Sequence, residues 1–251
     1  MRDQEFSFQK SVVVITGASS GIGKAAAKAF FDAGAKICIN SRSRSRIEAA
    51  AQEIDPTGKR VIYEVGDISK LSTINMIAER TVEELGDIDI LVNNAGAFNQ
   101  LSFMEHTEAD FDRYLNVILK ATFFMSQAVI PSMKRRGRGS IINLGSLWGL
   151  QAIGQAPCAA HSAAKAAVHA LTRTLAIEVA RHSIRVNAIA PAFVDKIPVD
   201  PPELCSFHPL MRRGRPLDVV EAIMFLASET ASWITGVVLP VDGGVSAGRH
   251  D

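Results

Sequence analysis

Short apolar runs alternate with longer amphipathic stretches from one end of the chain to the other. Runs rich in Val and Ile, bounded by turn residues, predict seven strands at 12–16, 36–40, 61–65, 88–93, 139–144, 184–190 and 237–241. Helical patterns lie between them at 22–33, 44–54, 71–85, 108–135, 159–182 and 216–229. These helices are long enough to be right-handed crossovers. The alternation predicts a doubly wound α/β fold, with a seven-stranded parallel sheet and helices on both faces.

The whole chain, 1–251, is predicted to be a single domain. No fixed-period repeat or low-complexity linker divides it, and 47% hydrophobic residues can fill one core. The irregular stretch is 192–210, where Pro198, Pro201 and Pro202 prevent a continuous helix. We expect this stretch to form a short lid over a binding site.

Charge and composition narrow the class of partner. Lys and Arg number 27 against 26 acidic residues, a net charge of +1, and no basic stripe carries interleaved aromatic residues, so we expect no nucleic-acid or membrane partner. No segment approaches the roughly 18 to 20 apolar residues of a membrane span. Three widely spaced cysteines suit free thiols in a reducing compartment rather than a disulfide framework or a zinc site. These features favour a cytoplasmic protein without a metal.

A glycine-rich loop follows the first predicted strand directly. It reads Gly17-Ala-Ser-Ser-Gly21-Ile-Gly23, and a helix begins within it. Glycines there permit a tight turn and let backbone N–H groups approach an anion at the positive end of the helix. This placement predicts a Rossmann-type dinucleotide site, with glycines needed merely for packing as the alternative. The absence of Gly-Lys-Ser/Thr disfavours an ATPase. The expected contacts are Gly17, Ser19, Ser20, Gly21, Ile22 and Gly23.

The end of the second strand bears on the choice of cofactor. An NAD site commonly places an acidic residue there for the ribose 2′-hydroxyl, whereas this chain reads Ser41-Arg42-Ser43-Arg44-Ser45-Arg46. A guanidinium can bind a 2′-phosphate through two hydrogen bonds. We therefore expect NADP(H), held by Ser41 and Arg42. A solvated basic helix face is the alternative, favoured for Arg44 and Arg46.

Four motifs together make the chain resemble the short-chain dehydrogenase/reductase family over nearly its whole length. They are the glycine loop from Thr16, Asn93-Asn94-Ala95-Gly96, Ser146, and Val241-Asp242-Gly243-Gly244. The resemblance implies adenine contacts from Asp67 and Ile68, and cofactor contacts from Asn94, Ala95, Gly96, Pro191 and Val194. It also implies that Asn116 opens its helix to a water chain, and that the chain forms a homo-oligomer, a tetramer or a dimer.

The family's catalytic tyrosine, four residues before its lysine, would fall on His161 in His161-Ser-Ala-Ala-Lys165. The chain has two tyrosines, Tyr63 and Tyr114, and neither is in this helix. Residues 161 and 165 share a helix face, so the ammonium of Lys165 should favour neutral imidazole. His161 would then be a base for alcohol oxidation, and the alternative is a helix histidine without a catalytic role.

The resemblance thus implies a catalytic set of Asn116, Ser146, His161 and Lys165, with the last two also contacting the cofactor. The expected activity is NADP(H)-dependent transfer of a hydride to or from a carbonyl or alcohol, or an imine or amine, of a small organic substrate. The alternative is an NADP(H)-binding regulatory or scaffold subunit without turnover. Candidate apolar walls of the substrate pocket are Phe98, Trp148, Phe193, Leu204 and Phe207.

Overall fold

The predicted seven-stranded parallel sheet is confirmed by a computed structural model, which describes residues 6–154, 156–194 and 206–248. The strand order is β3-β2-β1-β4-β5-β6-β7, and every pairing is parallel. The strands are β1 (Val12–Ile15), β2 (Lys36–Ser41), β3 (Val61–Val65), β4 (Ile90–Asn93), β5 (Gly139–Leu144), β6 (Ile184–Pro191) and β7 (Val238–Val241).

Helices connect the strands and cover both faces of the sheet. They are α1 (Gly21–Asp32), α2 (Arg44–Ile54), α3 (Leu71–Leu85), α4 (Glu108–Tyr114), α5 (Ala121–Arg136), α6 (Ala159–Val179) and α7 (Pro216–Ala227). The stretch predicted as one helix over 108–135 is α4 and α5 joined by a π-helical segment, Leu115–Lys120. In a π-helix the backbone bonds run from i to i+5, which widens the helix locally.

Alternate residues of β1 supply two separate cores. Val13 and Ile15 pack with α1, α2 and α7 on one face, whereas Val12 and Val14 pack with α3, α5 and the end of α6 on the other. This alternation follows from the two-residue period of a strand. All four side chains are buried, so both faces of the sheet are covered by helices.

The strand order reverses between β1 and β4, and this position determines where a ligand can bind. The loop after β1 runs to one side of the sheet and the loop after β4 to the other, which leaves a crevice at their carboxyl ends. Within the described residues, no helix is both long and apolar enough to cross a membrane.

Candidate active site

A cavity of about 760 Å³ opens at the carboxyl ends of the strands, where the order reverses. The structure brings most of the predicted site residues together around it. They are Gly17, Ser19, Ser20, Gly21, Ile22, Ser41, Arg42, Asp67, Ile68, Asn94, Ala95, Gly96, Ser146, His161, Lys165, Pro191 and Val194. Two predicted residues, Gly23 and Asn116, do not line it.

The glycine loop after β1 packs directly on the loop after β4. Gly17 has φ +65°, and a Cβ there would lie 2.8 Å from the Cα of Ala95. A Cβ on Gly23 would lie 2.4 Å from Nδ2 of Asn94, which donates to the carbonyl oxygens of Thr16 at 2.9 Å and Gly17 at 3.0 Å. The glycines are therefore needed for this packing, and they also leave the loop backbone open to the cavity. Such an open backbone cradle at the start of α1 fits a pyrophosphate.

The loops after β2 and β3 form the opposite end of the cavity from the catalytic candidates. Ser41 Oγ donates to Ser19 Oγ at 3.1 Å, and the exposed Arg42 follows it. Burial opposes ionisation of Asp67, but hydrogen bonds from Ser69 and the charge of Arg42 lower the pKa of this carboxyl below its usual value. This end therefore presents a guanidinium, hydroxyls and a carboxylate to a ligand.

His161 lies on α6 with 6% of its surface exposed. Its Nδ1 is 3.0 Å from the carbonyl oxygen of Ala97, and because a carbonyl only accepts, Nδ1 must carry the hydrogen. Burial and then the charge of Lys165 lower the pKa of His161 to about 4, against the opposing effect of the Ala97 bond. The imidazole is therefore neutral at physiological pH, with its lone pair on Nε2.

Lys165 and Ser146 lie on the same side of the cavity as His161. The buried Lys165 donates from Nζ to the carbonyl oxygen of Leu144 at the end of β5, and burial lowers its pKa to about 8. It is therefore mostly protonated at neutral pH. Ser146 Oγ accepts from the backbone N–H of Trp148 at 3.3 Å, an arrangement that leaves the serine hydroxyl hydrogen to donate to a ligand.

Aromatic rings line the cavity beside these polar groups. Phe98 packs edge-on against Trp148 and His161, with ring centroids 5.4 and 5.1 Å apart, and Trp148 packs against Phe193 at 4.8 Å. The guanidinium of Arg213 lies 5.2 Å from the centroid of the Phe193 ring. The sequence gives no signal for Arg213 as a cavity residue, because its position depends on the fold of the segment between β6 and α7.

Asn116 lies in the π-helical segment, and its neighbour Val117 lines the cavity instead. The role predicted for Asn116, which is to open its helix to a water chain, concerns the helix backbone and stays a prediction. Tyr114 lies behind His161, with ring centroids 6.0 Å apart. Its hydroxyl donates to the carbonyl oxygen of Asn99 and accepts from the Asn99 N–H, both at 2.9 Å, so this tyrosine packs behind the histidine and is not a cavity-lining group.

Part of the predicted lid can be described. Val194 lines the cavity and pairs with Gly214, whose N–H donates to the carbonyl oxygen of Phe193 at 2.9 Å. Phe207 packs on Phe193 with ring centroids 5.2 Å apart. The remaining lid residues, 195–205, lie outside the described residues, and the predicted wall residue Leu204 is among them.

A glycine loop at the reversal of a parallel sheet, with a cavity that extends across the neighbouring loops, defines a dinucleotide-binding α/β protein. A family model described as enoyl-(acyl carrier protein) reductase matches residues 17–246. The chain belongs to the short-chain dehydrogenase/reductase family, whose members are oxidoreductases that use a nicotinamide cofactor.

Relatives and solved structures match almost the full chain. A (2S)-[(R)-hydroxy(phenyl)methyl]succinyl-CoA dehydrogenase subunit of Thauera aromatica is 38% identical over 95% of this chain and 97% of its own length. A 3-oxoacyl-[acyl-carrier-protein] reductase of Thermotoga maritima is 37% identical over 93% and 97%. A short-chain type dehydrogenase/reductase from Mycobacterium marinum is 30% identical, with a TM-score of 0.91 over 97% of this chain and 98% of that one.

Proposed function

We propose that the protein is an NADP(H)-dependent oxidoreductase that interconverts a secondary alcohol and a ketone of a small organic molecule. The observation that carries this proposal is the neutral His161, which lines one cavity together with Ser146 and Lys165. Asn116, in the π-helical segment, keeps the proposed role of opening its helix backbone to a water chain.

In alcohol oxidation, His161 is the general base. The Ser146 hydroxyl donates a hydrogen bond to the substrate oxygen and holds it, while Nε2 of His161 accepts the hydroxyl proton. The bound nicotinamide supplies the hydride acceptor in this direction and the hydride donor in reduction. Burial and the Lys165 ammonium keep the imidazole neutral before the proton moves, and Lys165 would provide a donor for the cofactor ribose. In ketone reduction the same proton returns from the imidazolium to the product oxygen.

The preference for NADP(H) is supported by the charges after β2. Arg42 lines the cavity next to Ser41, and among the described residues it makes no ion pair. Arg44, in contrast, pairs with Glu48 at 3.2 Å on α2. A 2′-phosphate beside Arg42 would gain a charge-assisted hydrogen bond, whereas NAD would leave this guanidinium without that partner.

The substrate side of the cavity favours an anionic molecule with an apolar or aromatic ring. Phe98, Trp148 and Phe193 provide apolar walls, and Arg213 lines the same cavity together with Arg113, which lies 3.6 Å from a carboxylate oxygen of Asp110. Among its described lining residues the one acid is Asp67, which follows β3 at the far end. The Thauera relative, by its name, acts on a hydroxy(phenyl)methyl succinyl compound, which agrees with this combination of groups.

The proposal is tested by measuring turnover with matched substrates and both cofactors. We expect NADP⁺-dependent oxidation of aryl secondary alcohols. Turnover should be faster for alcohols that carry a carboxylate than for the corresponding methyl esters. Ketones and imines, assayed with NADPH, test the reverse reaction. Tight NADPH binding without turnover of any of these classes would instead favour a binding subunit. Absence of NADPH binding would refute the proposal.

A further inference from the structure

Ser146 stands at the start of a tight turn, and a second histidine of α6 lies beneath that turn. His169 has 2% of its surface exposed, and its Nε2 accepts the backbone N–H of Ser146 at 3.3 Å. The ring also packs against Gly149, at the other end of the turn, where a Cβ would lie 2.7 Å from its Cε1. Because Nε2 accepts a hydrogen bond, the hydrogen of the neutral ring is on Nδ1. The ring therefore lies against both ends of the turn.

Two glycines leave the space that the His169 ring occupies. A Cβ on Gly145 would lie 2.2 Å from Nε2 of His169, and one on Gly149 would lie 2.7 Å from its Cε1. The Gly149 Cβ would also lie 2.8 Å from the carbonyl carbon of Lys165, which belongs to the backbone of α6. The turn can therefore approach α6 this closely only without side chains at 145 and 149.

The ring must be neutral to make its bond to Ser146, since Nε2 accepts there and needs its lone pair. Burial lowers the pKa of His169 to about 4, and the charges of Lys165 and Arg173 act in the same direction, against the opposing effect of the Gly149 backbone. A positively charged ring would lose the lone pair on Nε2 and with it the bond to the Ser146 N–H. The surroundings thus keep the acceptor that the turn requires.

We propose that His169 is a positioning residue, which fixes the turn from Ser146 to Gly149 and so aims the Ser146 hydroxyl at the substrate oxygen. This inference rests on the role that the proposed function gives to Ser146. A displacement of about 1 Å at a catalytic group can lower a rate by about 100-fold, so the loss of one buried acceptor is expected to be visible in kcat.

The kinetic test compares two replacements of His169: one is a hydrogen-bond acceptor, and the other is an apolar side chain of similar length. His169→Met should lower kcat by about 10- to 100-fold and leave the NADPH dissociation constant within about twofold. His169→Gln places an oxygen near the position of Nε2 and should recover most of kcat. In the Ser146→Ala background, His169→Met should cost less than about a further twofold, because the group it positions is already absent. Thr172→Val, a buried polar site on the same helix bonded to Asn143, is the control and should leave kcat unchanged.

A fluorescence test does not depend on turnover. The chain has two tryptophans, and Trp233 is 99% exposed, so a Trp233→Phe background leaves Trp148, inside the turn, as the reporter. His169→Met should shift the Trp148 emission, and Thr172→Val should not. Gly145→Ala should reproduce the shift with His169 intact, and it serves in place of His169→Met if that variant does not fold.

Two results would overturn the positioning role. One is wild-type kcat and Trp148 emission in both His169→Met and Gly145→Ala. The other is a loss of kcat in His169→Met that persists in full in the Ser146→Ala background, which would mean that His169 acts through another group. If wild-type protein turns over no substrate, the proposed function fails, whereas the emission shift still decides whether His169 holds the turn.

Discussion

The pH dependence of turnover is the sharpest test of His161 as the proton carrier. A group with a pKa of about 4 is protonated in about one molecule in 10³ at pH 7. Alcohol oxidation, which needs the neutral imidazole, should therefore be independent of pH from about pH 5 to about pH 7, above which Lys165 loses its proton. Ketone reduction needs the imidazolium, so its kcat/KM should fall about tenfold for each pH unit over the same range.

Substitutions at position 161 measure how much the His161 imidazole contributes to the rate. A positioned acid or base contributes about 10²- to 10⁴-fold, so His161→Phe should lower kcat/KM by that factor in both directions and leave NADPH affinity nearly unchanged. His161→Tyr should exchange the two pH profiles: oxidation should rise with pH towards the tyrosine pKa, and reduction should be flat below it. Both directions change together at any one pH, because a catalyst cannot alter the equilibrium.

The assay follows reduced nicotinamide by absorbance in both directions, with cofactor affinity measured separately by fluorescence titration. His182→Phe, in the segment after α6 and outside the cavity lining, is the matched control and should behave like the wild type. Wild-type rates in His161→Phe would refute the reasoning, because the proton would then move through another group. Oxidation that rises with pH between about 5 and 7 in the wild type would contradict a base with a pKa of about 4.

Three further predictions concern the cofactor, acid stability and assembly. Arg42→Asp should weaken NADPH binding by about 10- to 100-fold with little change in NADH binding. Arg44→Asp is the control, because Arg44 is ion-paired with Glu48. Equal losses of affinity for both cofactors in Arg42→Asp would contradict a phosphate contact. The unfolded chain protonates His161 and His169 near pH 6.5, but the folded chain protonates them near pH 4. The free energy of unfolding should therefore decrease as the pH is lowered through this window, by up to about 3 kcal/mol for each histidine, and His169→Gln should weaken this pH dependence in a series of chemical denaturations. Phe123 on α5 is 45% exposed, so light scattering should give a dimer or tetramer that Phe123→Glu dissociates, and a wild-type monomer would refute this.

The strands were predictable because most are short runs rich in Val and Ile: the inner ones are buried on both faces, whereas the edge strands β3 and β7 are only partly buried. The predicted run 88–93 begins two residues before β4, and the backbone N–H of Ile88 donates to Ser132 Oγ at 2.8 Å and not to a neighbouring strand. Similarly, the glycine loop was predictable because its conformation needs glycine at Gly17, with its positive φ. Sequence patterns were sufficient for the strands and the glycine loop, because each of these elements depends on residues that are close together in the chain.

The π-helical segment and the groups around His161 could not be predicted in the same way. A π-helical turn has no simple composition, so the register of Asn116 relative to the cavity depends on packing between α4 and α6. Tyr114 and Ala97 are far from His161 in sequence, and only the fold places them beside its ring. Likewise, the role proposed for His169 depends on a turn that approaches α6 within van der Waals distance.

Three basic side chains on one buried face of α6 together determine the protonation state of the site. His161, Lys165 and His169 follow one another at intervals of four residues, so they lie one turn apart along the same side of the helix. Several like charges buried this close together are strongly disfavoured, and lysine has the highest intrinsic pKa, so Lys165 takes the charge. Each histidine is then neutral with its hydrogen on Nδ1: His161 donates it to the carbonyl oxygen of Ala97, and His169 carries it there because its Nε2 is an acceptor. The two Nε2 lone pairs then have different roles. That of His161 accepts the substrate proton, and that of His169 accepts the backbone N–H of Ser146. Neutralising position 165 with Lys165→Met should accordingly raise the pKa of both histidines, which histidine-resolved NMR titration would detect, and unchanged values would show that burial alone keeps them neutral.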